Sequence, residues 1–162
     1  MYYGKKEVKK RIVTPEGALS RLMILCSRAE KCEADARLLL ARWDIGREEG
    51  EKIMERLIRE GYVDNRRYAV AFVRDKAEYN GWGEHKITDA LRRKGISSAD
   101  IAFALQHIDR KEMREKLRKL LIKKRDSVIA GNEYELKGKL IRFALSKGFG
   151  YDEAVAMADD IL

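Results

Sequence analysis

The chain has 162 residues, of which 38% are charged and 45% hydrophobic, with a single proline. This charged share exceeds the roughly 25% of ordinary globular domains, and the scarcity of proline favours helix over sheet. No apolar run approaches the roughly 20 residues of a membrane-spanning helix. Residues 1–14 also lack the apolar stretch of a signal peptide. We therefore expect a cytoplasmic protein that contacts no membrane.

The net charge of +8 is concentrated in two segments. Residues 1–14 carry five basic side chains and one acidic one, and residues 110–125 carry nine basic and two acidic ones. The rest of the chain is net negative. Such local positive charge is typical of a surface that faces a polyanion, although a basic helix is also compatible with simple solvation.

Hydrophobic residues recur at helical spacing along the chain, and this pattern predicts nine helices and no strand. Asn65 is the expected N-cap of the fourth helix, and Ser97 or Ser98 that of the sixth. Gly95 is expected to stop the fifth helix. The predicted helices cover residues 16–29, 33–43, 47–59, from after Asn65 to the break at Gly81, 84–94, from Ser97 or Ser98 to Ile108, 111–129, 133–146 and 151–161.

One short pattern occurs three times, as Leu40–Ile45, Leu91–Ile96 and Ala144–Phe149, at offsets of 51 and 53 residues. A fixed period indicates repeated modules that bury their apolar faces against one another. We predict an all-α fold of three tandem, helix-turn-helix-like three-helix repeats, elongated and curved. The expected divisions are a flexible basic arm (1–15) and repeats 1 (16–64), 2 (65–110) and 3 (111–162).

The resemblance to helix-turn-helix modules does not extend to base recognition. Gly46, Ser97 and Gly150 stand at equivalent turns, but the helices that follow begin with acidic or neutral residues. A helix that reads the major groove starts with polar and basic side chains. An autonomous DNA-binding protein is therefore the second hypothesis, and a scaffold for an unrelated acidic protein is the third.

No catalytic constellation stands out in the sequence. It contains no Walker-type loop, HExxH or paired-cysteine motif. Cys26 and Cys32 lie six residues apart, and His85 and His107 have no nucleophile or carboxylate fixed beside them. We predict no enzyme, no metal site and no cofactor. The adjacent acids Asp159–Asp160 at a helix C-terminus, where the dipole disfavours them, have no explanation from sequence.

The segments Val63–Phe72 and Ala90–Ile96 resemble the RecX family of regulatory proteins, and the resemblance extends over residues 16–162. It implies a regulator that binds the filament of RecA recombinase on single-stranded DNA, and we expect the chain to be a monomer. Such a regulator inhibits ATP hydrolysis, recombinase activity and strand exchange, and so modulates homologous recombination, DNA repair and the SOS response. The chain departs from the family pattern at Trp43–Asp44 and at Trp82.

Basic side chains are the candidates for contact with phosphates or with acidic protein surface. Tyr68, Phe72, Ile87 and Leu91 are assigned to the core, and Trp82 is a candidate for a partly exposed anchor. The basic candidates are Arg66, Arg67, Arg74, Lys86, Arg92, Arg93 and Lys94 in repeat 2, and Arg114, Arg118, Lys119 and Arg125 in repeat 3.

Overall fold

The computed structural model describes residues 12–162, and these form nine α-helices without a strand. The all-helical prediction is confirmed, and most boundaries agree to within two residues. Residues 1–11 of the predicted arm lie outside the described part. None of the helices in residues 12–162 is both long and apolar enough to cross a membrane. The helices are α1 (Pro15–Arg28), α2 (Glu33–Arg42), α3 (Arg47–Arg59), α4 (Asn65–Tyr79), α5 (Glu84–Arg93), α6 (Ser98–Leu105), α7 (Arg110–Ser127), α8 (Glu133–Lys147) and α9 (Tyr151–Ile161).

Polar side chains fix the start of at least four of the described helices. Amides in the first turn have no partner within the helix, and a cap oxygen satisfies one of them. The predicted cap at Asn65 is wrong, because α4 already begins there and Asp64 precedes it. The capping side chains, each accepting from the amide three residues later at 2.8–3.1 Å, are Thr14, Ser97, Asp109 and Asn132.

The threefold sequence pattern corresponds to one backbone structure at the ends of α2, α5 and α8. In each copy the last residue donates its amide to the carbonyl of the first, at 3.1 Å, 3.1 Å and 3.2 Å. The residue before it has positive φ, namely 57° at Asp44, 72° at Gly95 and 96° at Gly148. Aspartate enters this left-handed region more readily than most residues. The departure at Asp44 therefore leaves the helix stop intact.

The chain divides into two compact units between Asp64 and Asn65. In the first unit α1 and α2 both pack on α3. Its interior is small and apolar, and it is closed by the chain segment that follows α3. The most deeply buried large side chains there are Leu22, Leu40, Met54, Leu57 and Val63.

The second unit contains α4–α9. Ile87 and Leu91 are fully buried, as predicted, whereas Tyr68 and Phe72 are only half-buried and pack ring against ring at 5.9 Å. Assigning those two aromatics to the core was therefore wrong. They lie on α4 directly before the buried residues Ala69 and Val73, at the edge of the core, where their side chains stay partly exposed to solvent.

The start of α5 packs end to end on the end of α8. The amides of Gly83 and His85 donate to the carbonyls of Lys147 and Gly148, at 2.7 Å and 3.0 Å. Amides at one helix start thus satisfy carbonyls at another helix end, and the positive end of one helix dipole meets the negative end of the other. A Cβ on Gly83 would lie 2.5 Å from the Gly148 oxygen, so only glycine fits. The close backbone approach explains the glycine before α5.

Candidate partner-binding surface

Helices α4 and α6 pack against each other with their starts together, which gathers five basic candidates at one end of repeat 2. The Arg66 guanidinium lies 2.7 Å from the Asp100 carboxylate and joins the starts of the two helices. Helix α5 ends just before α6 begins. The set, which we name the basic end of repeat 2, consists of Arg66, Arg67, Arg92, Arg93 and Lys94.

The members of the basic end differ in how far they are engaged within the protein. Arg66 pairs with Asp100 and lies 4.6 Å from the ring centroid of Phe103. The Arg92 side chain is 65% exposed and reaches Asp89 only at 4.0 Å. Arg93 is exposed and makes no ion pair or side-chain hydrogen bond within residues 12–162. Arg92 and Arg93 are therefore open to an external anion, whereas Arg66 mainly fastens α6 to α4.

This charge is particular to repeat 2. The positions equivalent to 92–94 are Ala41–Trp43 in repeat 1, with one basic residue, and Leu145–Lys147 in repeat 3, also with one. The end of α8 is moreover covered by the start of α5. Three copies of one helix end thus differ in charge and accessibility, and in the second unit only that of α5 carries three cations, of which Arg92 and Arg93 are exposed.

Two other candidates of repeat 2 lie away from the basic end. Arg74 is 67% exposed at its side chain and reaches its neighbour Asp75 at 3.5 Å. The Lys86 ammonium donates to the Ser146 carbonyl at 3.2 Å and lies 4.6 Å from the Trp82 ring. Lys76 lies 5.0 Å from that same ring. The ammonium groups of Lys76 and Lys86 thus both contact the ring of half-buried Trp82. These contacts help to hold the turn between α4 and α5.

Three candidates on α7 contact α9. Arg114 reaches Glu153 at 3.8 Å and Arg118 reaches Asp160 at 3.2 Å, while Arg125 donates to the Ile161 carbonyl at 2.6 Å. Each exposed pair contributes at most about 1 kcal/mol. Arg114 and Arg118 are thus paired with carboxylates of α9, while Arg125 is held by a backbone carbonyl.

The same side of repeat 3 explains the acidic pair that the sequence left unexplained. Asp160 accepts from Arg118 of α7, and Asp159 accepts from Lys137 of α8 at 2.5 Å. The two carboxylates therefore bridge the end of α9 to both neighbouring helices. These ion pairs offset the unfavourable interaction with the helix dipole.

The opposite side of α7 remains exposed. Lys119 makes no ion pair within the described residues, and neither do Lys111 and Lys123. These three lysines and Glu115 follow one another at four-residue spacing, which places them in one stripe. We name the stripe the outer face of α7. Lys111 and Lys123 were not among the candidates predicted from sequence, although their spacing would have indicated them.

The helices that follow the turns do not suit a DNA groove. Their first turns contain Glu48 and Glu49 in α3, Asp100 in α6, and Asp152 and Glu153 in α9. Among residues 12–162 there is also no cluster of three or more side chains suited to a metal ion. The geometry of the described residues is that of successive three-helix modules.

Comparison with known proteins agrees with this class. Residues 64–105 match the family model described as the second three-helix domain of RecX, and residues 112–155 match the third. Together the two matches cover more than half of the chain. They coincide with α4–α6 and with most of α7–α9.

Relatives and solved structures lead to the same family. The regulatory protein RecX of Clostridium botulinum is 38% identical over 93 residues, which cover 56% of this chain and 43% of the relative. That of Streptococcus gordonii is 30% identical over 115 residues, covering 71% of the chain and 44% of the relative. The chain thus spans about half the length, or less, of these curated relatives.

A crystal structure of regulatory protein RecX superimposes with a TM-score of 0.76 at 26% identity, covering 90% of this chain and 71% of that one. RecX from Lactobacillus salivarius shares the fold, with a TM-score of 0.75 at 22% identity, covering 91% and 96%. The class is therefore a tandem array of three-helix regulatory modules. Within that class, this chain belongs to the RecX family.

Proposed function

We propose that this chain binds the RecA filament on single-stranded DNA and inhibits its ATPase, recombinase and strand-exchange activities. It thereby modulates homologous recombination, DNA repair and the SOS response. Family membership supports the class of partner, and the relatives bear the name regulatory protein. The observation that carries the proposal to particular residues is the exposure of Arg92 and Arg93 at the end of α5.

In this proposal the basic end of repeat 2 makes the main electrostatic contact. Arg92 and Arg93 project from the last turn of α5, and a helix C-terminus stabilises cations through its dipole. They are exposed, and their positions are fixed by a buried helix face that includes Ile87 and Leu91. Contacts with phosphates require no sequence recognition. The outer face of α7 supplies further positive charge.

The modules themselves are proposed to act without covalent chemistry. Repeats 1, 2 and 3, with the divisions at residues 64 and 110, form successive binding surfaces, and the chain acts as a monomer in the cytoplasm. The autonomous DNA-binding alternative is less well supported, because the acidic first turns of α3, α6 and α9 would meet phosphates.

The decisive assay is ATP hydrolysis by the cognate RecA on single-stranded DNA, titrated with this protein. Inhibition below one regulator per recombinase protomer is the expected result. The triple variant Arg92→Glu, Arg93→Glu, Lys94→Glu should need at least about tenfold more protein for half-inhibition, which corresponds to about 1.4 kcal/mol.

A matched control reverses three charges at other helix ends. Arg28, Arg42 and Arg59 each lie exposed in the last turn of a helix of repeat 1. Their change to glutamate alters the net charge by the same amount, yet should leave inhibition within about twofold. Equal loss in both triple variants would assign the effect to overall charge. No inhibition by the wild-type chain would remove the proposal.

A further inference from the structure

Helices α8 and α9 form an open groove of about 780 Å³ on the surface of repeat 3. Three large apolar side chains stand exposed along it: Tyr134 is 89% exposed, Tyr151 64% and Leu145 40%. On α8 the groove follows one face, with spacings of four, three and four residues over a length of about 16 Å. The lining residues used below are Tyr134, Gly138, Ile141, Leu145, Tyr151 and Val155.

Gly138 lies in the middle of α8, at the centre of this groove. Glycine in a helix interior is less stable than alanine. A methyl group there would meet only the Arg142 guanidinium within 4 Å, at an ordinary contact distance of 3.5 Å. Packing among residues 12–162 therefore does not require glycine at this position. Its missing side chain instead leaves room for close approach from outside.

The charges around the groove indicate what approaches. Lys137 pairs with Asp159 at 2.5 Å, and Lys139 pairs with Glu135 at 2.6 Å. Arg142 is exposed and makes no ion pair or hydrogen bond within the described residues, while its charge helps to lower the pKa of Glu135, which also lines the groove. One available cation beside an apolar groove suits a peptide with a single acidic group better than a polyanion, which needs several cations.

We propose that the α8–α9 groove binds an amphipathic helix of the partner protein, with an acidic side chain paired to Arg142. Such a helix places apolar side chains at three- and four-residue spacing between Tyr134, Leu145 and Tyr151. Its backbone approaches closest at Gly138. Resting on the proposed function, this inference places the helix in the RecA recombinase and separates this contact from the basic end of repeat 2.

The test uses overlapping peptides of about 15 residues that tile the cognate RecA, each labelled for fluorescence anisotropy. One peptide, or a few overlapping ones, with an acidic residue among spaced apolar residues should bind the full chain. Gly138→Leu fills the groove and should weaken this binding at least about tenfold, and Arg142→Glu should also weaken it. Ala102→Leu, which adds a leucine to an exposed position of α6, should have no effect.

Gly138→Ala separates binding from folding. It should raise the melting temperature, because alanine favours helix, and yet weaken peptide binding. Binding unchanged in Gly138→Leu, or no peptide bound by the wild-type chain, would overturn the inference. So would a dimer that Gly138→Leu disrupts, because the occupant would then be a second copy. Inhibition of ATP hydrolysis is read separately, so the proposed function can stand if the groove does not.

Discussion

The end of α5 and the end of α8 share one backbone structure but have opposite surroundings. At α5 the turn through Gly95 is open, since a Cβ on that glycine would have no atom within 4 Å, and the preceding residues are cationic. At α8 the turn through Gly148 lies against the backbone of Lys86 and receives the amide of His85. A repeated element thus serves as a joint between modules in one copy and as a presented surface in another.

Helix α7 and the end of α5 also differ in how many of their basic side chains a partner can reach. Helix α7 has the densest basic sequence, yet Arg118 and Arg125 bind groups of α9. The end of α5 has fewer basic residues but leaves Arg92 and Arg93 exposed. The number of basic residues in a segment therefore overestimates what a polyanionic partner can reach.

The largest expected effect comes from disrupting the joint at α8. Gly83→Ala places a methyl group 2.5 Å from the Gly148 oxygen, and the forced separation should cost on the order of 2–3 kcal/mol. Urea denaturation measures this loss. Gly46→Ala is the matched control, since Gly46 precedes α3 as Gly83 precedes α5 but has no atom within 4 Å. Equal stability of the two variants would show that the joint is not tight.

A smaller effect is expected where α7 is joined to α9. Arg125→Ala removes the 2.6 Å hydrogen bond to the Ile161 carbonyl, and the loss should be about 1–2 kcal/mol, because the donor is charged and partly buried. Lys119→Ala, on the outer face of the same helix, should change stability by less than about 0.5 kcal/mol. The free energy of unfolding in urea distinguishes the two. A larger loss of stability in Lys119→Ala than in Arg125→Ala would contradict the view that Arg125 lies on the packed side of α7 and Lys119 on its exposed side.

The smallest effect lies at the start of α8. Hydrogen bonds from Lys139 and from the Gly131 amide hold the pKa of Glu135 below its usual value of 4.5. A lowered pKa stabilises the fold above the usual value, and this contribution is lost as the pH falls through the folded-state pKa. Glu135→Gln should therefore slightly lower the melting temperature at neutral pH and reduce its fall in acid. Melting curves of both proteins across that pH range are the test. Identical pH dependence in the wild type and in Glu135→Gln would argue against a stabilising role of the hydrogen bonds to Glu135.

Sequence patterns predicted the helices well because their apolar spacing and caps are local. Ser97 and Gly95 act at the positions that their chemistry indicates. The pairing of Asp159 with Lys137 and of Asp160 with Arg118 depends on packing between helices distant in sequence, and no local pattern encodes it. The same holds for the candidate site. Its basic residues can be read from the sequence, but the residues that they pair with in the fold cannot.

In the proposed function the end of α5, and not the α9-facing side of α7, presents charge to the partner. Binding to a fluorescent RecA filament on single-stranded DNA, measured over a salt series, tests it most directly. Changing Arg92, Arg93 and Lys94 to glutamine should weaken binding at least about tenfold and reduce the salt slope by about 2, with an unchanged melting temperature. The same change at Arg114, Arg118 and Arg125 should lower stability but leave binding by the folded protein near wild type. The opposite ranking would contradict the account.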